Sequence, residues 1–211
     1  MSDNLKHTKR PDIKLNDPNN LILIDGSGYI FRAFYGLPSM TNENGVAVNA
    51  VFGYTKMLLK LIDDFKPMYV AVIFDVARKT FRNDLYDLYK ANRSDPPEEL
   101  IPQFSIIREA TNAIGLPVVE MEGFEANDLI ATYSNIAYKI NKKVIIISSD
   151  KDLMQLVDDN TILFDPMKQY WINDEQVFEK FGVYPSKVIG VQSLAGDSSD
   201  NIPGVPGIGV K

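Results

Sequence analysis

Four short runs of branched apolar residues constrain this fold most: Leu21-Ile22-Leu23-Ile24 before Asp25-Gly26, Tyr69 to Phe74 before Asp75, Val144 to Ile147 before Ser148-Ser149-Asp150, and Ile162-Leu163-Phe164 before Asp165. None alternates apolar with polar residues, so each suits a strand covered on both faces, as in a parallel sheet. Leu116-Pro117-Val118-Val119 adds a shorter strand. Between them lie stretches of helical period. Val46 to Phe65 is ended by Pro67, and Ile101 to Ile114 is closed by Gly115, a C-cap residue. Phe124 to Ile140 and Lys151 to Val157 follow. The alternation predicts an α/β fold, a mostly parallel central sheet with helices on both faces. Beyond Asp165 the pattern predicts an edge hairpin at Lys168 to Ile172, then helices at Asp174 to Phe181 and Pro185 to Ala195. Residues 1–20 are polar, without period, and read as a flexible leader.

The chemistry is bounded by what is missing. There is no Cys, and the single His is His7, in the polar leader. Thiolate nucleophiles, Ser-His-Asp triads and Cys/His zinc sites are thereby excluded. Hydrolysis, if present, rests on carboxylates and the hard cations they hold. No apolar run approaches the ~18–20 residues that span a bilayer, and no signal-peptide core is present, so the expected setting is the cytoplasm, with no membrane partner.

Asp25, Asp75 and Asp150 each follow one of the apolar runs. In open α/β sheets ligands bind just beyond the carboxyl ends of the strands, so three such acids converge on one rim. One strand-end Asp alone usually caps the next turn; several together weaken that reading. Glu125 and Asp128 are spaced i, i+3 at a helix start, Asp150 and Asp152 share a turn, and Asp197 and Asp200 share a loop. Taking these eight acids from a net charge of −6 leaves +2. Eight like charges on one rim raise one another's pKa unless cations neutralise them. An all-oxygen set selects Mg²⁺ or Mn²⁺. Two such ions ~4 Å apart permit phosphodiester hydrolysis.

The segment from Arg78 to Arg93 carries Arg78, Lys79, Arg82, Lys90 and Arg93 against Asp84 and Asp87, with Phe81, Tyr86 and Tyr89 interleaved. Positive charge with stacking rings is a footprint for single-stranded or frayed nucleic acid; the plain alternative is a solvated helix with its rings in the core. Arg32, in an aromatic stretch after Asp25, is a candidate phosphate contact. The glycines of Gly204-Val205-Pro206-Gly207-Ile208-Gly209 suit a hairpin with bare N–H groups aimed at a DNA phosphate.

These blocks, taken in order, resemble the 5′→3′ exonuclease domain of bacterial DNA polymerase I, within the flap-endonuclease, PIN-like superfamily. The blocks are Leu23 to Ser27 with Arg32-Ala33-Phe34, Phe74-Asp75 with Lys79 to Arg82, Tyr89 to Arg93, Gly123 to Ala126, Asp150 to Leu153, and Gly196 to Gly209. The resemblance implies a nuclease acting on 5′ flaps, nicks or single-stranded 5′ ends of DNA in replication and repair, with two Mg²⁺ or Mn²⁺ ions, and a polymerase domain or subunit as partner. It implies that the eight acids and Asn127 hold the metals and that Lys79 and Arg82 steer the scissile phosphate. It also implies that about 78–100 forms a helical arch in a 21–182 core, and that 183–211 is a partial helix–hairpin–helix element where K⁺ can sit. Two departures stand out. Asn127 replaces an acid usual in the family, which costs a charge at one metal, and the sequence stops at Lys211, within the hairpin motif. A catalytically impaired DNA-binding remnant is therefore the alternative. A haloacid-dehalogenase-type phosphatase, suggested by the opening strand-Asp-Gly, lacks the second Asp two residues on, where Ser27 stands.

Overall fold

The computed structural model describes residues 15–209. One six-stranded sheet is built from β1 (Asn20–Asp25), β2 (Tyr69–Ile73), β3 (Val118–Val119), β4 (Lys143–Ile147), β5 (Thr161–Asp165) and β6 (Tyr170–Ile172). Their spatial order is β3-β2-β1-β4-β5-β6, parallel except for β6, which pairs antiparallel with β5 at the edge. The helices are α1 (Gly26–Gly36), α2 (Asn49–Phe65), α3 (Phe81–Leu85), α4 (Ile101–Ala113), α5 (Ala126–Lys139), α6 (Asp174–Phe181) and α7 (Val188–Ala195).

Alternate strand residues feed two separate cores, which is why the strand sequences are apolar throughout. Ile22, Ile24, Val72, Ile145 and Ile147 pack with Tyr54 and Leu58 of α2 and Ile107 of α4. Leu23, Ala71, Ile73, Val144 and Ile146 pack with Leu129 and Ile130 of α5 and Val177 of α6. Burying one such side chain stabilises by about 1.5–3 kcal/mol relative to leaving it exposed. The chain runs outward from β1 to β2 and β3, then crosses back through α5 to β4 on the other side of β1. This reversal between β1 and β4 opens a crevice at their carboxyl ends.

Several expectations shift. Most of the leader lies outside the described residues, but Leu15 is buried in the first core and β1 already starts at Asn20. The arch segment is helical only over Phe81–Leu85 and then runs in turns and irregular backbone to residue 100. Lys151–Leu156 is a 3₁₀ helix, not an α-helix, and Pro185–Lys187 is a separate 3₁₀ turn before α7. Asp150 stands three residues beyond the end of β4, as the N-cap of the 3₁₀ helix, where its side chain accepts from the Asp152 N–H.

Candidate active site

A cleft of about 1000 Å³ opens over the carboxyl ends of β1, β2 and β4. Seven of the eight predicted acids line it: Asp25, Asp75, Glu125, Asp150, Asp152, Asp197 and Asp200. Four basic side chains line it too, Arg82, Lys90, Arg93 and Lys151, leaving the walls at −3. Among the described residues no three acidic side chains converge in one coordination shell. Each of the seven is instead hydrogen-bonded or ion-paired within the chain.

Asp25, the N-cap of α1, is only 7% exposed. Its oxygens accept from Gly28 N–H at 3.2 Å and from the Ser148 hydroxyl at 2.7 Å. Burial, with the neighbouring charges of Asp75 and Asp150, nevertheless pushes its carboxyl up to about 6 from an ordinary 3.8, against the lowering effect of those two bonds. Asp75 accepts from the Ala126 N–H at 2.8 Å, tying β2 to the start of α5. The Ser27 hydroxyl in turn accepts from the Asp75 N–H. Asp150 accepts from the Asn127 amide at 2.8 Å and from Asp152 N–H at 2.9 Å. Burial and the charges of Asp150 and Asp197 raise the Asp152 carboxyl, opposed by a hydrogen bond from Gln192 and the charge of Lys151.

The loop carrying Asp197 and Asp200 is closed by backbone contact. Asp197 and Ile202 exchange N–H···O bonds, and Gly196, at φ +72°, lies against Gly204 so tightly that a Cβ on Gly204 would meet the Ala195 carbonyl oxygen at 2.2 Å. Burial acts to raise the Asp197 carboxyl, but the Lys151 ammonium at 2.7 Å and bonds from Ser199 outweigh it and hold it at about 2.

The basic segment lies on the acids rather than in solvent. Lys90 sits 2.7 Å from Glu125 and 3.8 Å from Asp200, and Arg93 also pairs with Asp200. Tyr89 is 6% exposed, its hydroxyl 3.2 Å from Glu125 and 3.1 Å from Asp200. One phenolic proton satisfies only one of two ionised carboxylates at a time. Burial and these two charges raise the Tyr89 hydroxyl pKa. Further bonds from Asn92 to Ser198, Arg93 to Ser199, Asn201 to Leu88 and Lys90 to Asp200 bind the segment to the acidic loop.

Several predicted roles need correction. Asp128 does not line the cleft: Arg82 grips both its oxygens at 2.7 Å, and one also accepts from Glu125 N–H in a capping box. Lys79 is exposed, 3.7 Å from Asp84, and stands outside the lining, as does Arg32 on the exposed face of α1. Arg78 turns to Asp95 and the Arg93 carbonyl. Of the segment's aromatics Tyr86 lines the cleft, and Tyr89 is locked inside it as a hydrogen-bonding group rather than left free for stacking. Gly204 serves the loop closure described above; Gly207, at φ +84°, forms a turn in which Ile208 N–H reaches the Val205 carbonyl; Gly209 is exposed. Sequence reasoning missed Ser148, Gln192 and Lys151. Only Lys151 carried a signal, as the cation between two acids.

Residues 20–182 match the family described as 5′-3′ exonuclease, N-terminal resolvase-like domain. The chain belongs to this 5′-3′ exonuclease family. It is 53% identical over 206 residues to DNA polymerase I of Rhizobium leguminosarum, covering 94% of this chain and 20% of that protein. It is 39% identical over 191 residues to a 5′-3′ exonuclease of Aquifex aeolicus, covering 90% of this chain and 66% of that one. The chain thus spans about a fifth of the length of the DNA polymerase I relatives it matches. Among solved structures, T5 5′-exonuclease with bound divalent metal ions (zinc) aligns with a TM-score of 0.74 at 24% identity, over 91% of this chain and 72% of that one. The catalytic core of Rad2 in complex with a DNA substrate aligns at 0.57 and 20%, over 92% and 59%. At these identities the likeness is one of fold. The mostly parallel sheet with helices on both faces is the fold shared with these two structures. No helix among the described residues is long and apolar enough to cross a membrane.

Proposed function

We propose that the chain is a divalent-metal-dependent 5′ nuclease, hydrolysing phosphodiester bonds at flaps, nicks or single-stranded 5′ ends of DNA in replication and repair. One observation carries the reading: seven carboxylates from distant parts of the sequence face one cleft at the sheet's switch point, and one of them, Asp25, is buried with its carboxyl raised to about 6. An arrangement that raises a buried acid's pKa costs stability at neutral pH, and a bound hard cation removes that cost. Family membership, and relatives named as exonucleases, support the same reading.

The donor set fits Mg²⁺ or Mn²⁺: it is all oxygen, with neither His nor Cys. Asp25, Asp75, Glu125, Asp150, Asp152, Asp197 and Asp200 would hold the metal centre. When bound, such ions supply an activated water and neutralise charge on the leaving oxygen. The chain's own cations do the positioning. Arg93, exposed, is the candidate contact to a DNA phosphate at the rim, while Arg82, fixed by Asp128, presents a rigid guanidinium to the cleft. The turn at Pro206-Gly207 is the candidate contact to duplex DNA, with K⁺ as its candidate ion. A polymerase domain or subunit, and a cytoplasmic setting, complete the proposal.

A second reading, DNA binding without hydrolysis, is favoured by the absence of any three-carboxylate shell among the described residues. Incubation with 5′-flap and nicked DNA separates the two. Hydrolysis requires Mg²⁺ or Mn²⁺ and falls by roughly 10²-fold or more in Asp150→Ala. Flap binding with no cleavage at high Mn²⁺ establishes the second reading, and equal cleavage by Asp150→Ala overturns the site.

A further inference from the structure

Asn127 occupies the first turn of α5, and its side chain meets Asp150 at 2.8 Å. A carboxylate only accepts hydrogen bonds, so the amide must present its N–H₂ end. The other Asp150 oxygen is taken by the Asp152 N–H at 2.9 Å. Both oxygens of Asp150 are therefore engaged within the chain, while the Asn127 carbonyl oxygen accepts no hydrogen bond among the described residues.

We propose that Asn127 sets the metal affinity of the Asp150 side of the cleft, by serving as a neutral hydrogen-bonding substitute for a cation there. The proposal rests on the reading that the cleft holds divalent ions. An amide N–H directed at Asp150 supplies the partial positive charge that a metal supplies when bound. A cation on that oxygen must displace the N–H or share the oxygen with it. An acid at position 127 has the opposite effect: it brings a second negative charge to within hydrogen-bonding distance of Asp150 and cannot donate to it, so the pair needs a cation to coexist. Asn127 thus trades affinity for metal against integrity of the metal-free site. It acts through Asp150 and is a positioning residue, not a catalytic one. The two consequences have opposite signs in a single variant, which a merely structural role does not produce.

Mn²⁺ is titrated calorimetrically into the full chain, stripped with EDTA and dialysed, as wild type, Asn127→Asp and Asn127→Ala, and thermal unfolding is followed in EDTA. Asn127→Asp binds Mn²⁺ at least about tenfold tighter, equivalent to 1.4 kcal/mol, while its Tm in EDTA falls below the wild-type value. Asn127→Ala, lacking both tether and charge, also loses Tm but gains no affinity. If Asn127→Asp does not fold in EDTA, recovery of its fold on adding Mn²⁺ supports the inference, and failure to recover overturns it. Binding by wild type and Asn127→Asp with equal affinity overturns the inference and leaves the metal reading standing. Binding by neither overturns both.

Discussion

Asp25→Asn should stabilise the metal-free protein at neutral pH, even though it removes an acid with two good hydrogen bonds. Asp25 is buried, and burial with the Asp75 and Asp150 charges lifts its carboxyl from 3.8 to about 6 in the fold. A carboxyl whose folded pKa is raised costs nothing below the unfolded pKa. Its cost grows as pH climbs from about 4 to about 6, then levels off. Two pKa units correspond to about 3 kcal/mol at pH 7.5, of which roughly half has already developed by pH 5. Asparagine still accepts from Gly28 N–H and donates to the Ser148 hydroxyl, a rearrangement costing about 1 kcal/mol at any pH. The pH dependence is therefore the clean signal. Urea unfolding in EDTA should show Asp25→Asn gaining about 1.5 kcal/mol on the wild type between pH 5 and 7.5. With Mn²⁺ present the order reverses, because binding stabilises the wild type more than the variant. A stability difference in EDTA that stays flat from pH 5 to 7.5 refutes the claim that this acid is held charged against its environment.

Gly204→Ala puts a methyl group against the Ala195 carbonyl, so the acidic loop must open; urea melts should show a loss of about 2 kcal/mol or more. Lys151→Met leaves only the Ser199 bonds to oppose burial at Asp197, whose folded carboxyl is otherwise held at about 2. The depressed pKa contributes stability above about pH 4 that is lost as pH falls through 2, so the variant should be weaker by about 1–2 kcal/mol at pH 7 and equal to wild type at the acid end. Flap DNA should bind on the order of tenfold tighter in Ca²⁺ than in EDTA at matched ionic strength, read by fluorescence anisotropy. Arg93→Ala should abolish most of that difference, and an unchanged ratio would show that Arg93 is not released from Asp200 when the ion enters.

The sheet was legible because its signal is local: a strand buried on both faces must be apolar throughout, and the turn after it must be polar. Asp25 and Asp75 follow directly from that rule. Asp150 does so less cleanly, since Ser148 and Ser149 intervene, and a serine past a strand gives no sign that it will hold an acid across the crevice. The i, i+3 spacing placed Glu125 and Asp128 on one helical face but could not say that a capping box and Arg82 would claim the second of them. Turn glycines announce a turn, not which backbone they will touch, so the contact of Gly204 with residues 195 and 196 was invisible. The basic segment shows the same limit on a larger scale. Its charge could be counted, but whether solvent, DNA or the protein's own acids would neutralise it depends on a fold that brings Lys90 beside residues 35 and 110 positions away.

That last point bears on how the site works. Lys90, Arg93 and Lys151 each bind an acid that the proposed metal centre would use, and Asn127 does the same for Asp150. Together with Arg82, these side chains offset part of the charge of the seven carboxylates and leave the cleft at −3. The same cations are also the groups best suited to DNA phosphate. A phosphate alone draws Arg93 from Asp200 only by leaving a nearly buried acid with the Tyr89 hydroxyl and the more distant Lys90 as its partners, which is unfavourable. A divalent ion alone leaves Lys90 and Arg93 beside a positive charge. Only when ion and phosphate arrive together does every charge keep a partner. The pairing of these residues with one another thus favours simultaneous occupancy by metal and DNA, the state the proposed hydrolysis requires.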